Sequence, residues 1–281
     1  MRISRRGVLG GMALSLPATA AAKSAGNPIT RLLEIERRSG GRLGVAAFDT
    51  ATGHQLLGHF DDRFLMCSTF KLLLVGRILQ RVDAGTDTLN RWIAYGPADI
   101  LEWAPITRQH VGEGGMTLSA LCAAAIQYSD NTAANLLLDT IGGPDGVTRF
   151  ARSLGDTVTR LDRNEPTLNL PDGDNDTTTP IAMLQDMHRI LIGNVLSAAS
   201  RRRINDWLVG NTTGPTLLRA GLPPGWTVGD KTGRGQGAVN DIAIATPPGR
   251  APLLMAVFVS GGTNADATVA ETARLIVETL S

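Results

Sequence analysis

The chain has 281 residues, of which 43% are hydrophobic and 19% charged. That balance suits a soluble globular protein with a large core, built as one compact unit or two closely joined subdomains. The formal charge is +1, but Arg2, Arg5 and Arg6 lie in a leader; the 27 basic residues less those three, against 26 acidic ones, leave about −2, which argues against a nucleic-acid partner.

In chain order, the charged start Arg2-Ile3-Ser4-Arg5-Arg6, the apolar run from Gly7 to Leu16 and the small residues Ala18 to Ala22 read as a cleavable export signal over residues 1–22. Pro17 interrupts the run, which is too short for the roughly 20 residues of a bilayer span. The Arg5-Arg6 pair also fits a twin-arginine signal. The mature protein is therefore expected in the periplasm or secreted and free of the membrane; a monomer is the default expectation, on which the sequence carries no signal.

Beyond the leader, Ile29, Leu32 and Leu33 keep helical spacing until Gly40-Gly41. Leu43 to Phe48 and Gln55 to Phe60 flank a polar, glycine-ended stretch and read as a hairpin. From about Asp61 to Leu208 the patterns are mainly helical, with helices from near Ser68, over Leu118 to Gln127, Asn131 to Ile141 and Ile181 to Leu191. Strand character returns at Trp226 to Lys231, Val239 to Ala245 and Leu253 to Val259, before a closing helix with Val269, Ala273, Ile276, Val277 and Leu280 on one face. These patterns predict residues 23–61 plus 209–281 as a sheet-containing α/β subdomain and 62–208 as an all-α subdomain. Cys67 and Cys122 could pair in an oxidising compartment, but each lies by or in an apolar helix, where a free cysteine packs as a small hydrophobe.

Three short motifs carry chemistry. Ser68-Thr69-Phe70-Lys71 sets a hydroxyl and an amine three positions apart at a helix start, so that both point along one face; a serine needs such a base to act as nucleophile. The following Leu72-Leu73-Leu74-Val75 would bury the helix and leave Lys71 a charge in need of a partner or a purpose. Ser129-Asp130-Asn131 follows an apolar run and could equally be a helix cap. Lys231-Thr232-Gly233 ends a strand pattern, where a lysine is often just a solvated charge.

Together and in this order, the three motifs resemble the signature set of the penicillin-recognising serine enzymes. Glu165, in Arg163-Asn164-Glu165-Pro166-Thr167-Leu168-Asn169, narrows the resemblance to the class A β-lactamases, and it extends from about Ile29 to the C-terminus. Tyr128, Arg160, Asp162, Asp176 and Asn240-Asp241 agree with that family. The resemblance implies an α+β fold in which an antiparallel five-stranded sheet is flanked by the terminal helices, with the active site between it and the inserted all-α subdomain. It implies hydrolysis of β-lactam antibiotics, and so resistance, through a serine acyl-enzyme with no cofactor or metal.

By the same resemblance Ser68 is the nucleophile, Lys71 and Glu165 share base duty, and Glu165 with Asn169 positions the deacylating water. Ser129 relays a proton to the lactam nitrogen, Asn131 binds the side-chain amide, and Lys231, Thr232 and Gly233 form the motif that holds the substrate carboxylate. The backbone N–H groups of Ser68 and Arg234 form the oxyanion hole. Arg219 matches a second carboxylate-binding arginine, and Trp103 an aromatic residue at the cleft rim. Two departures stand out: Arg234 replaces a short side chain after the lysine motif, and Leu170 to Asn175 is about two residues shorter than in well-known members.

Two rivals remain in view. A D,D-peptidase shares the three motifs, and Glu165 argues against it; a covalent β-lactam sensor needs a transmembrane segment, and no such pattern follows the leader. No G-x-S-x-G elbow or H-E-x-x-H motif is present, and His54, His59, His110 and His188 read as surface or packing residues.

Overall fold

A computed structural model describes residues 26–281, so the export leader read at 1–22 lies outside the described residues. Helix α1, Pro28–Ser39, begins where the Asn27 side chain accepts from the Ile29 N–H at 2.9 Å and ends at Gly40 with φ 69°. Of the apolar trio at helical spacing, only Leu32 is buried. Ile35 continues the stripe three positions on, while Ile29 and Leu33 are exposed.

The strands of the main sheet are β1, Gly41–Asp49; β2, Gln55–Gly58; β3, Thr227–Gly235; β4, Ala238–Thr246; and β5, Leu253–Gly261. They form one antiparallel sheet in the order β2-β1-β5-β4-β3, with β3 at an edge. Between β2 and β3 run helices α2, Lys71–Asp83; α3, Leu118–Gln127; α4, Asn131–Asp139; α5, Pro144–Ser153; α6, Pro180–Leu191; and α7, Ala198–Val209, and α8, Ala265–Leu280, closes the chain. Helices α5 and α7 were not among the helices read from the sequence, although Pro144 in the first turn of one and the Ser197 cap of the other mark their starts.

Alternation along the central strands splits the apolar residues between two cores. On β5, Leu254, Ala256 and Phe258 join the core with the inserted helices, whereas Met255, Val257 and Val259 pack with Leu32 and Ile35 of α1 and Val269, Ala273 and Ile276 of α8. Helix α2 lies at the centre of the first core, with Leu72 to Val75, Ile78 and Leu79 all buried. Gly76 lets its neighbours close in: a Cβ there would meet Ile190 Cδ1 at 3.2 Å and Phe150 Cε1 at 3.3 Å. Cys67 and Cys122 are free and buried, and burial is the main cause that pushes the Cys67 thiol up to about 12. Both behave as packing residues rather than as nucleophiles. Among the described residues, no helix is long and apolar enough to cross a membrane.

Candidate active site

Ser68 stands on a 3-10 turn, Cys67–Phe70, which leads into α2 at Lys71. The helix proper thus starts three residues later than the serine, and Cys67 takes a left-handed φ of 47° to make the entry. Edge strand β3 runs past this turn and continues through the whole lysine motif, further than the sequence pattern reached. Gly233 makes the close approach possible, because a Cβ on it would lie 2.7 Å from the Met66 carbonyl oxygen.

The Ser129-Asp130-Asn131 segment is both a cap and a site. Asp130 caps α4, its Oδ1 accepting from the Ala133 N–H at 2.9 Å, and its Oδ2 accepts from the N–H groups of Ile106 at 3.0 Å and Thr107 at 2.9 Å. With the middle residue so anchored, Ser129, at φ 56°, and Asn131 turn toward Lys71.

The loop carrying Glu165 is pinned at its neck. Asp176 Oδ1 accepts from the backbone N–H groups of Asp162 at 2.8 Å and Arg163 at 3.0 Å, and Arg163 Nε reaches Asp176 Oδ2 at 2.6 Å. Asn135 on α4 grips the backbone of Glu165 from both sides, at 3.0 Å to its N–H and 2.9 Å to its carbonyl. Asn135 was not singled out in the sequence; asparagine inside a helix carries no local signal of a cross-chain partner.

At the centre, Glu165 Oε1 accepts from Ser68 Oγ at 3.2 Å and faces Lys71 Nζ at 3.0 Å, while Oε2 accepts from Asn169 Nδ2 at 2.6 Å. Lys71 also donates to Asn131 Oδ1 at 2.7 Å and to Ser129 at its carbonyl oxygen, 2.9 Å, and at Oγ, 3.3 Å. Lys231 approaches the same hydroxyl from the other side, with Nζ 3.1 Å from Ser129 Oγ. Both lysines are fully buried. Burial chiefly lowers the Lys71 ammonium against the pull of Glu165, and burial together with the charge of Lys71 brings Lys231 down to about 7.

These groups open on a cleft of about 680 Å³ lined by Ser68, Trp103, Ser129, Asn131, Asn169, Thr232 and Arg234, together with Tyr128, Pro105, Thr212 and Thr213. Trp103 is 56% exposed, and its indole N–H donates to the Tyr128 carbonyl at 3.1 Å. Thr213 was not anticipated from sequence; its hydroxyl lies 2.5 Å from that of Thr232.

Arg219 is placed elsewhere than expected. Its Nε donates to the buried Asp230 at 2.6 Å and NH2 to the carbonyls of Leu208 and Val209 at 3.2 Å each, and the residue does not line the cleft. The physical reason is charge: burial pushes the Asp230 and Asp241 carboxyls up, and the charge of Arg219 with the hydrogen bond from Asn211 opposes that rise at Asp230. Arg234 does line the cleft, with its guanidinium on Asp266 of α8 at 2.9 and 2.7 Å.

A serine hydroxyl held against a buried carboxylate and ammonium, beneath the edge of an antiparallel sheet, defines a serine hydrolase of the acyl-transfer kind. The chain belongs to the beta-lactamase enzyme family, whose model matches residues 27–280. It is 44% identical to Beta-lactamase OXY-2 of Klebsiella oxytoca, over 89% of this chain and 88% of that protein. To Beta-lactamase CTX-M-8 of Citrobacter amalonaticus it is 48% identical, over 81% of this chain and 79% of that one. The solved structure of an ancestral (GNCA) class A beta-lactamase superposes with a TM-score of 0.88 at 53% identity, covering 90% of this chain and 100% of that one.

Proposed function

We propose that the chain hydrolyses β-lactam antibiotics through an acyl-enzyme on Ser68, and so confers resistance to them. The observation that carries the residue assignment is the shared oxygen: Glu165 Oε1 lies within 3.2 Å of Ser68 Oγ and 3.0 Å of Lys71 Nζ. In acylation Ser68 Oγ attacks the lactam carbonyl and gives its proton to the Glu165 and Lys71 pair. Ser68, second in its 3-10 turn, has a backbone N–H with no partner inside the turn. With the Arg234 N–H on the edge strand it stabilises the oxyanion.

The lactam C–N bond then breaks, and the nitrogen takes a proton from Ser129. Two ammonium groups can donate to Ser129 Oγ from behind, at 3.3 and 3.1 Å, which leaves its own O–H directed into the cleft and refilled through Lys71. In deacylation Glu165 takes a proton from a water as that water attacks the ester carbonyl, the bond from the carbonyl carbon to Ser68 Oγ breaks, and the proton passes to Ser68 Oγ, while Asn169 holds the other carboxylate oxygen still. Asn131 and Trp103 contact the substrate side chain; Thr232 and Lys231 receive its carboxylate, and Gly233 permits the strand approach that brings them there. The cleft lies between a sheet subdomain of residues 23–61 and 209–281 and a helical subdomain of residues 62–208.

The chain acts as an exported monomer in the periplasm or outside the cell, released from a leader ending near Ala22. The test is turnover of nitrocefin by purified protein. Continuous hydrolysis over many equivalents, abolished in Ser68→Ala, is expected; a burst of one equivalent followed by arrest would replace a lactamase with a peptidase or a sensor.

A further inference from the structure

The resemblance implies Arg219 as the second carboxylate-binding arginine, but the structure places a different arginine at the cleft. Arg219 has its guanidinium committed to Asp230 and to two backbone carbonyls, outside the lining of the cleft. Arg234 lines the cleft beside Thr232, and its two terminal nitrogens meet the two oxygens of Asp266 end-on at 2.9 and 2.7 Å. A guanidinium has five N–H donors. End-on pairing uses one on each terminal nitrogen, so the Nε–H and one N–H at either tip stay free.

Asp266 is itself fixed. It lies in the first turn of α8, where a carboxylate is favoured by the helix N-terminus, and its Oδ2 accepts from Thr216 Oγ1 at 2.7 Å. The pair is half exposed, with side-chain exposures of 50% and 40%, so it contributes little to stability. Its consequence is positional. A long side chain that would otherwise sweep the cleft mouth is held in one place, with donors to spare, on the side where Thr232, Thr213 and Lys231 gather.

We propose that the Arg234 side chain is the carboxylate-recognising guanidinium of this cleft and that Asp266 is the positioning residue that sets it there. This gives the Arg234 side chain the carboxylate role that the resemblance implied for Arg219, and it rests on the β-lactamase reading above. Substrates bearing an anion next to the lactam nitrogen are preferred because of this pair, and neutral ones gain nothing from it.

The test compares benzylpenicillin with its methyl ester in the parent, Arg234→Ala, Arg234→Lys and Asp266→Asn proteins. Loss of one charge-assisted contact should raise KM for the acid roughly 10-fold in Arg234→Ala, with a smaller change in kcat and little change for the ester. Arg234→Lys should recover part of the loss, and Asp266→Asn should show an intermediate acid-specific rise in KM at a parental melting temperature. If the ester is too slow for a KM, its Ki against nitrocefin supplies the same comparison. Equal effects on acid and ester, or a parental KM for the acid in Arg234→Ala, would overturn the assignment while nitrocefin turnover still upheld the enzyme. A parent inactive on every β-lactam would overturn both.

Discussion

At the scale of single residues, the site shows how a buried charge is kept or given up. Lys71 and Glu165 have fully buried side chains yet face each other at 3.0 Å, so each offsets the desolvation of the other. Behind β3 the same rule fixes Arg219 on Asp230. Arg219→Ala should therefore destabilise the protein by about 3 kcal/mol, the lower end for a one-sided break because this arginine is partly exposed. The carboxyl of Asp230, already raised by burial, would rise further without its cation. A raised carboxyl keeps its proton in the folded chain and loses it in the unfolded one, so stability falls as pH climbs toward the folded value. The loss in melting temperature should be larger at pH 8 than at pH 5, and a loss independent of pH would remove Asp230 as the cause. Arg219 also shows the limit of a motif: the sequence places the arginine near the lysine strand, but only its ion pair with Asp230 shows that it lies outside the lining of the cleft.

At the scale of elements, the loop from Arg160 to Thr178 depends on two staples. The first is the Arg163 and Asp176 pair at 2.6 Å. Asp176 is fully buried at a left-handed φ of 58° and also accepts two backbone N–H groups. Asp176→Asn weakens all three contacts. Deacylation should slow and the melting temperature fall, measured by steady-state kinetics and calorimetry; both values at the parental level would detach the neck from Glu165.

The second staple was not legible in the sequence, because its two members are far apart in the chain. Asp156, just before the loop, and Asp186, on α6, are both buried, and each keeps one carboxyl oxygen, Asp156 Oδ2 and Asp186 Oδ2, with no other hydrogen-bond partner, so that a proton on one can serve both. Asp156 Oδ1 accepts from the N–H groups of Val158 at 2.6 Å and Thr159 at 3.0 Å, which makes it the charged partner, and Arg189 NH1 lies 3.3 Å from Asp186 Oδ1. Burial, then the neighbouring Asp156, pushes Asp186 up to about 8. Asp186 thus stays protonated in the folded chain where the unfolded chain, with an ordinary value of about 3.9, does not. The folded state binds the extra proton between those values, so raising pH across that window costs stability. Asp186→Asn, neutral at every pH, should gain on the parent in melting temperature as pH rises from 5 to 8. A constant difference would dismiss the shared proton.

At the scale of the whole molecule, the order hairpin, helices, three strands, helix was readable because the apolar period changes from 2 to 3.6 and back along the chain. The resemblance to the family's motifs, taken in chain order, also brought Ser68, Lys71, Ser129, Glu165 and Lys231 into one candidate set. What was not readable was set by approach rather than pattern: Asn135 gripping Glu165, Thr213 beside Thr232, and Asp266 beneath Arg234 each depend on contacts between distant segments. The central claim is that Glu165 releases an ester formed on Ser68, and Glu165→Gln tests it most directly. This variant keeps the side-chain shape and removes the base, so acylation should outlast deacylation. Intact-mass spectrometry after mixing with benzylpenicillin should show the protein shifted by the mass of one penicillin and persisting for minutes, with the adduct absent from Ser68→Ala. Parental turnover by Glu165→Gln with no adduct at any time would contradict the account.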